Sequence, residues 1–287
     1  MKSILLTGAN GYIGRHVAAE LICNGADVIA VDRYNDVADG DCRRIACDVF
    51  ESSESFIEKI GFVPDACLHL AWRDGFNHNA PSHMEDLPRH FDFLVGLARA
   101  GVSQIAVMGS MHEVGYWEGA ITENTPCNPQ SLYGIAKNAL RQALAVSFAG
   151  SLVQLQWIRG FYIFGDDSKS QSIFGKLIRA AEAGQRKFPF TTGKNRYDFI
   201  SVQELAAQIA DVVMQNQVDG IINCCSGNPL SLAEMVERFI KEHDLDIELE
   251  YGAYPDRPYD SPGVWGDDSK IRSIRESAQA GLYAGAK

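Results

Sequence analysis

Tyr133 and Lys137 are the two residues whose types and spacing most directly indicate chemistry in this sequence. Residues four apart share one face of a helix, so the ammonium of Lys137 is expected beside the phenol of Tyr133. We expect this cation to lower the pKa of the phenol from its reference value of about 10, because it stabilises the phenolate. Such a phenol can give a proton to a carbonyl or take one from an alcohol. The same spacing also occurs by chance on amphipathic helices.

A third group for the same reaction is predicted where the strand expected over 104–108 ends. Ser110 follows that strand, and its hydroxyl would polarise a substrate carbonyl and align it with the phenol. A serine that caps a turn is the alternative interpretation.

Three glycines near the start of the chain predict a phosphate-binding turn. They follow an apolar run over 2–7 and precede an amphipathic stretch over 16–23. Glycine allows a tight bend, a close approach of a pyrophosphate to the backbone, and close packing of helix on strand. The helix that begins there points its N–H groups and the positive end of its dipole at the phosphates. The predicted cofactor contacts in this turn are Gly8, Asn10, Gly11, Tyr12, Ile13 and Gly14.

An acidic residue after the second strand indicates which dinucleotide is bound. Asp32 follows the apolar run over 27–31, where a carboxylate would hold ribose hydroxyls and repel a 2′-phosphate. The neighbouring Arg33 could instead fold over the adenine or neutralise such a phosphate. We therefore predict NAD or NADP as the cofactor, with NAD favoured by Asp32. A glycine-rich turn with no ligand is the alternative.

Composition limits the classes of partner. The 287 residues carry a net charge of -11 and no basic tract, which argues against a nucleic-acid ligand. No apolar run reaches membrane-spanning length and the chain starts directly with a strand, so we expect a cytoplasmic protein without a membrane partner. The seven cysteines show no metal-ligand spacing, so no metal site is predicted and the thiols are expected to be reduced.

Strand and helix signals alternate along the chain without repeats. This alternation predicts an α/β fold with a Rossmann-like doubly wound parallel sheet. Further strands are expected over 43–47, 65–71 and 104–108, with a crossover helix over 82–100. With 46% hydrophobic residues, the chain can bury the core of one large α/β domain with a smaller appended lobe.

Together these segments resemble the extended short-chain dehydrogenase/reductases, in particular the branch that acts on nucleotide-activated sugars. Residues 7–14 resemble that family's TGxxGxxG turn, and Tyr133 and Lys137 its YxxxK pair. Trp72 departs from the small residue usual in the family's HLAA sequence. The cofactor contacts that the resemblance adds are Asp48, Val49, Leu70, Ala71, Trp72, Tyr133 and Lys137.

The assignment of Ser110 as the catalytic serine depends on how residues 110–115 are aligned with the family. Residues 110–115 resemble the family's S/T-x-x-V-Y-G sequence when aligned on Gly115, which supports Ser110. A shift by one residue would put Met111 in its place, and a thioether cannot donate the required hydrogen bond.

The resemblance also implies a substrate site formed by later residues. Arg196 and Arg257 match two arginines that in relatives hold the diphosphate of a sugar nucleotide, as planar guanidinium groups can. Tyr162 stands where relatives have an asparagine that often meets the substrate, and His112 is a further predicted substrate contact.

The implied domain organisation has two parts. An NAD(P)-binding Rossmann domain is expected over 1–165, its sheet completed by later segments, and a smaller C-terminal lobe, mainly substrate-binding, over 166–287. Relatives pair through the helix that carries YxxxK and the long helix before it, so a homodimer is expected.

Three functions remain open at this point. The short length favours NAD(P)H-dependent reduction of a nucleotide-linked 4-keto-6-deoxy sugar. A nucleotide-sugar epimerase with tightly bound NAD is the first alternative, since His112 and Glu113 are candidate auxiliary acid/base groups, or else part of a polar loop at the cleft mouth. Met111 offers no titratable group, which disfavours a dehydratase. The second alternative is a non-catalytic NAD(P)-binding sensor.

Overall fold

The protein is described by a computed structural model over residues 1–34, 42–50, 53–165, 172–256 and 261–281. The helices in these ranges are α1 (Tyr12–Cys23), α2 (Ser53–Ile60), α3 (Ser82–Arg99), α4 (Leu132–Phe148), α5 (Ile173–Glu182), α6 (Val202–Met214), α7 (Leu232–Glu242) and α8 (Ser269–Gln279). None of these described helices has the length and apolar character needed to cross a membrane.

The strands in the described ranges are β1 (Ser3–Thr7), β2 (Asp27–Asp32), β3 (Arg43–Ala46), β4 (Ala66–His69), β5 (Gln104–Ser110), β6 (Gly119–Ile121), β7 (Gln154–Gly160), β8 (Tyr162–Phe164), β9 (Lys187–Pro189), β10 (Arg196–Tyr197), β11 (Phe199–Ser201), β12 (Gly220–Cys224), β13 (Leu230–Ser231), β14 (Glu248–Glu250) and β15 (Gly263–Gly266). A 3₁₀ turn, Met111–Glu113, follows β5 directly.

Seven of the described strands form one parallel sheet in the order β12-β7-β5-β4-β1-β2-β3. The strand order reverses at β1, which lies between β2 and β4, and a crevice forms there at the carboxyl ends of the strands. The predicted α/β fold with a doubly wound parallel sheet is confirmed. The strands predicted over 43–47, 65–71 and 104–108 all differ in length: β3 ends at Ala46, β4 is shortened to Ala66–His69, and β5 continues to Ser110.

The central sheet is buried on both faces. Ile4 and Leu6 of β1 pack into the core beneath α1, α6 and α8, whereas Leu5 packs into the core beneath α2, α3 and α4. All three side chains are fully buried. Successive residues of a strand point to opposite faces, so a strand covered on both sides is a continuous apolar run.

A third core lies beyond the carboxyl ends of the sheet. Phe174 of α5 and Phe239 of α7 pack together in it, and it reaches Met111 and Phe161, which follow β5 and β7. Strands β13, β10, β15 and β6 form a smaller sheet at this end. The later part of the chain thus covers the carboxyl edge of the central sheet, while β12 completes that sheet.

Candidate active site

Two cavities open side by side at the carboxyl end of the central sheet. The larger has a volume of about 1470 Å³ and the smaller of about 400 Å³. Gly8, Gly11, Leu70 and Trp72 line both cavities. An extended ligand that crosses this shared border can occupy both cavities at once, and a dinucleotide has that shape.

Every predicted cofactor contact lines one of these cavities. The smaller cavity is lined by the residues expected around adenosine, and the larger one by the predicted catalytic residues. The members lining the smaller cavity are Gly8, Asn10, Gly11, Asp32, Arg33, Asp48, Val49, Leu70, Ala71 and Trp72. Those lining the larger cavity include Tyr12, Ile13, Gly14, Tyr133 and Lys137.

The glycine turn between β1 and α1 is closed too tightly for side chains. Gly8 has a φ of 71°, and a Cβ built on it would lie 2.7 Å from the amide nitrogen of Ala71. A Cβ on Gly14 would lie 2.0 Å from the carbonyl oxygen of Gly8. Gly11 is the N-cap of α1 and lines both cavities, so the positive end of the helix faces the cleft. Because glycine has no side-chain oxygen, it does not cap the N–H groups of the first turn. This turn fits a pyrophosphate.

Backbone amides fix the carboxylate of Asp32 at the end of β2. Its Oδ2 accepts a hydrogen bond from the N–H of Asn10 at 3.0 Å, and its Oδ1 accepts one from the N–H of Arg33 at 2.7 Å. The side chain of Arg33 is exposed. A carboxylate held in this way is suited to accept hydrogen bonds from ribose hydroxyls.

Ser110, Tyr133 and Lys137 meet in the larger cavity. Ser110 ends β5, and its hydroxyl accepts the N–H of His112 at 3.2 Å. Its side chain interacts with the phenol of Tyr133 and favours the phenolate. The Nζ of Lys137 donates to the carbonyl oxygen of Met108 at 2.7 Å and lies 5.9 Å from the centroid of the Tyr133 ring. The sequence prediction thus identified three groups that the fold brings together from β5 and α4.

The expected direction of the Tyr133 pKa is wrong for this structure. Burial raises the pKa of Tyr133 to about 12, the hydrogen bond to Ser110 lowers it, and the charge of Glu113 raises it further. Burial also lowers the pKa of Lys137 to about 7, against the opposing effect of Glu113. Removal from water outweighs the pairing because Lys137 is directed at the Met108 carbonyl and not at the phenol oxygen.

Trp72, a predicted cofactor contact, belongs to a shell of aromatic and histidine side chains around Tyr133 and Lys137 whose histidines were not predicted as site residues. The indole of Trp72 stacks on His90 at 4.4 Å, donates from Nε1 to His83 at 3.1 Å, and carries the Nζ of Lys137 on its face at 3.7 Å. The ring of His78 stacks on Tyr133 at 5.3 Å. The position of the loop over 72–81 after a central strand indicated an active-site segment, and His78 lies in it, whereas His83 and His90 come from α3.

The shell extends to His90, which lines the smaller cavity. Both ring nitrogens of His69 are hydrogen-bonded, Nδ1 to Thr7 at 2.8 Å and Nε2 to His90 at 2.9 Å. His69 and His90 are buried, and burial keeps the pKa of each well below the ordinary histidine value. The uncharged His90 ring that stacks on Trp72 is therefore hydrogen-bonded to the uncharged ring of His69.

Of the predicted substrate contacts, two are in the larger cavity. His112 and Tyr162 line it. Arg196 is exposed and donates to the carbonyl oxygen of Pro229 at 2.7 Å, although its neighbour Tyr197 lines the cavity. Arg257 lies outside the described residues. The structure therefore places His112 and Tyr162 beside the reactive groups and leaves Arg196 outside the cavity wall.

Glu113 does not lie at the cleft mouth. Its side chain is fully buried behind β5, where it accepts hydrogen bonds from the N–H of Ser110 and from Nε1 of Trp157. It lines neither of the two cavities described above. The alternatives of an auxiliary acid/base group or a polar loop residue at the cleft mouth are therefore wrong for Glu113, because Trp157 and Arg159 cover its carboxylate.

Comparison with known proteins gives relatives along nearly the whole chain. A dTDP-6-deoxy-L-talose 4-dehydrogenase (NAD(+)) of Aggregatibacter actinomycetemcomitans is 44% identical over 276 residues, covering 92% of this chain and 99% of the relative. A UDP-glucose 4-epimerase of Corynebacterium glutamicum is 24% identical over 273 residues, covering 86% of this chain and 82% of the relative.

Solved structures share the fold. MoeE5 in complex with UDP-glucuronic acid and NAD superposes with a TM-score of 0.80 at 23% identity, covering 95% of this chain and 92% of that one. The UDP-N-acetylglucosamine 4-epimerase of Methanobrevibacter ruminantium M1 gives a TM-score of 0.82 at 21% identity, with 95% and 91% coverage.

The family itself follows from a sequence match over most of the chain. Residues 4–225 match the NAD dependent epimerase/dehydratase family. This match confirms the predicted family and, of the two cofactors considered, NAD. The chain is therefore a member of the NAD dependent epimerase/dehydratase family and an NAD-dependent enzyme.

Proposed function

We propose that this enzyme transfers a hydride between NAD(H) and C4 of a dTDP-linked 6-deoxyhexose, and that it works as the reductase of the 4-keto sugar. The observation that carries the proposal is the meeting of Ser110, Tyr133 and Lys137 in a cavity that shares its border with the predicted adenosine site. The 44% identical relative, named for dehydrogenation at the same carbon, supports the choice of substrate and reaction.

The side chains divide the work as follows. Tyr133 gives its proton to the carbonyl oxygen of the substrate, and its pKa of about 12 keeps the phenol protonated at neutral pH. Ser110 donates a hydrogen bond to the same oxygen and aligns it with the phenol. Lys137 holds the ribose next to the nicotinamide and balances charge as the phenolate forms. NADH, when bound, supplies the hydride. In the oxidative direction the phenolate of Tyr133 accepts the proton of the sugar hydroxyl, so the phenol must first lose its own proton to solvent.

We assign the substrate-binding lobe to residues 166–287, except for the segments that complete the central sheet. His112 and Tyr162 would contact the sugar, because both line the larger cavity. Arg196 and Arg257 would hold the diphosphate, which requires the Arg196 side chain to leave the carbonyl of Pro229. Residues 1–165 would then form the NAD-binding part.

A homodimer through α3 and α4 is also proposed. These helices pack side by side on one face of the sheet, and they expose apolar side chains: Met84, Ile135 and Val146. Covering such residues would stabilise a symmetric contact. Light scattering of the purified protein should give twice the chain mass, and the mass of a single chain would overturn the dimer.

Turnover with defined substrates tests the proposed function. The purified enzyme should oxidise NADH with a dTDP-4-keto-6-deoxyhexose and reduce NAD with a dTDP-6-deoxy-L-hexose. Tyr133→Phe should lower turnover by about 10²–10⁴-fold and leave the affinity for NAD nearly unchanged. Unchanged turnover would overturn the role of Tyr133.

The epimerase alternative has its own support and its own signature. Epimerases are among the relatives, including the 24% identical one. An epimerase returns the hydride to the same sugar, so it would copurify with NAD and invert C4 without consuming added NADH. Cofactor binding without any turnover would instead support the non-catalytic sensor.

A further inference from the structure

Glu113 is a buried acid directly behind the proposed reactive groups. It ends the 3₁₀ turn that follows Ser110, and its side chain is 0% exposed. Its Oε1 accepts the N–H of Ser110 at 2.6 Å and Nε1–H of Trp157 at 2.9 Å. In return the Ser110 hydroxyl caps the turn. The carboxylate thus fixes the backbone of the residue whose hydroxyl meets Tyr133.

The strand that carries Ser110 is shaped to admit this carboxylate. A Cβ on Gly109 would lie 2.6 Å from Oε1 of Glu113 and 2.2 Å from Nε1 of Trp157. Any other residue at 109 would force the Glu113–Trp157 hydrogen bond apart. The contact is therefore built into three elements at once: β5, β7 and the 3₁₀ turn.

The carboxylate of Glu113 offsets the positive charges that surround it. Arg159, itself 0% exposed, places a guanidinium nitrogen 3.6 Å from Oε2, and the Nε of Arg141 lies 4.0 Å away. On α4, Lys137 and Tyr133 both feel the charge of Glu113. Removing the carboxylate would leave three cations together. Arginine does not lose its proton, so Lys137 is the group that would become neutral.

We propose that Glu113 is a positioning residue for the reaction: its buried carboxylate fixes the backbone of Ser110 beside Tyr133 and favours the charged form of Lys137. The inference rests on the proposed roles of Ser110, Tyr133 and Lys137. Glu113 itself touches neither substrate nor cofactor, since it lines neither of the two cavities.

Two variants separate geometry from charge. Glu113→Gln keeps an oxygen that can accept from Ser110 and Trp157 and removes the charge. It should lower kcat at least tenfold at unchanged KM and move the alkaline fall of kcat to lower pH by about one unit or more, because Lys137 loses its proton more easily. Glu113→Asp keeps the charge but withdraws it from Ser110. It should lower kcat without moving the pH profile.

A buried carboxylate elsewhere provides the matched control. Asp198 is also 0% exposed and accepts backbone N–H groups, including Ser226 at 2.7 Å and Gly266 at 3.0 Å. Asp198→Asn should lower the unfolding temperature and leave the pH profile in place. If Glu113→Gln behaves like Asp198→Asn, the role of Glu113 is merely structural and the proposal is overturned.

A spectroscopic readout tests the charge without turnover. Fluorotyrosine incorporated at position 133 reports phenol ionisation by fluorine NMR, and Glu113→Gln should move that ionisation to lower pH, because Glu113 disfavours the phenolate. An unmoved titration overturns the proposal. Failure of the proposed function would give a different result, because the turnover rate of the Tyr133→Phe variant would then equal that of the wild type. Should Glu113→Gln not fold, Glu113→Asp with unchanged kcat would overturn the positioning.

Discussion

Gly14→Ala offers a sharp test of the cofactor turn. The new methyl group would lie 2.0 Å from the carbonyl oxygen of Gly8 and 2.9 Å from Cα of Ala9, so the turn must open. Overpacking of this kind costs about 1–3 kcal/mol. Elsewhere in a helix, the same change stabilises by about 1 kcal/mol. The expected sign is therefore opposite to the ordinary effect of alanine.

The strain should appear in NAD binding, because the displaced Gly8 lines both cavities. If about 2 kcal/mol is needed to restore the turn around a pyrophosphate, NAD affinity falls by more than tenfold. Calorimetric titration with NAD measures this, with thermal unfolding of the free protein as a check on folding.

Two other glycines calibrate the result. A Cβ on Gly75, which lines the larger cavity, meets nothing within 4 Å, so Gly75→Ala should bind NAD as the wild type does. A Cβ on Gly11 lies 3.1 Å from the Gly8 oxygen and should give an intermediate loss. Equal affinities of Gly14→Ala and Gly75→Ala would refute the assignment of this turn to the pyrophosphate.

The remaining predictions concern charge. Burial lowers the pKa of Lys137 to about 7 in the folded state, so the unfolded chain binds more protons between that pH and its ordinary value of 10.5. Stability should therefore rise with pH in that window, by an amount on the order of 5 kcal/mol. Lys137→Met should flatten this rise in thermal melts recorded across the pH range, and a variant curve parallel to that of the wild type would contradict the prediction. Arg196→Ala and Arg257→Ala should each weaken binding of a nucleoside diphosphate about tenfold or more, since each removes a charge-assisted pair. If both variants bind the nucleoside diphosphate with wild-type affinity, the diphosphate binds elsewhere. Asp32→Ser should weaken the binding of NAD and reduce the preference for NAD over NADP. An unchanged ratio of the two affinities would show that Asp32 does not contact the ribose.

Local patterns in the sequence predicted much of this molecule. The apolar run of β1 and the spacing of Gly8, Gly11 and Gly14 determine the strand, turn and helix, because each acts over a few residues. The i, i+4 spacing similarly predicted that Tyr133 and Lys137 share a face of α4. These features are local, so one sequence is enough to identify them.

What the sequence did not reveal depends on long-range contacts. Trp157 and Glu113 are 44 positions apart, and no pattern indicates that β7 would cover the acid after β5. The direction of the Tyr133 pKa depends on burial by His78, His83 and Trp72, which come from a loop and from α3. Spacing predicts which groups meet, whereas their protonation depends on everything packed around them.

Isotope transfer tests the central claim most directly. The enzyme is mixed with a dTDP-4-keto-6-deoxyhexose and NADH that carries deuterium on the transferable position of nicotinamide C4. Mass spectrometry and proton NMR then locate the label. We expect one deuterium at C4 of the product sugar for each NADH oxidised. NADH that stays unconsumed, with no deuterium found in the sugar, would contradict net hydride transfer.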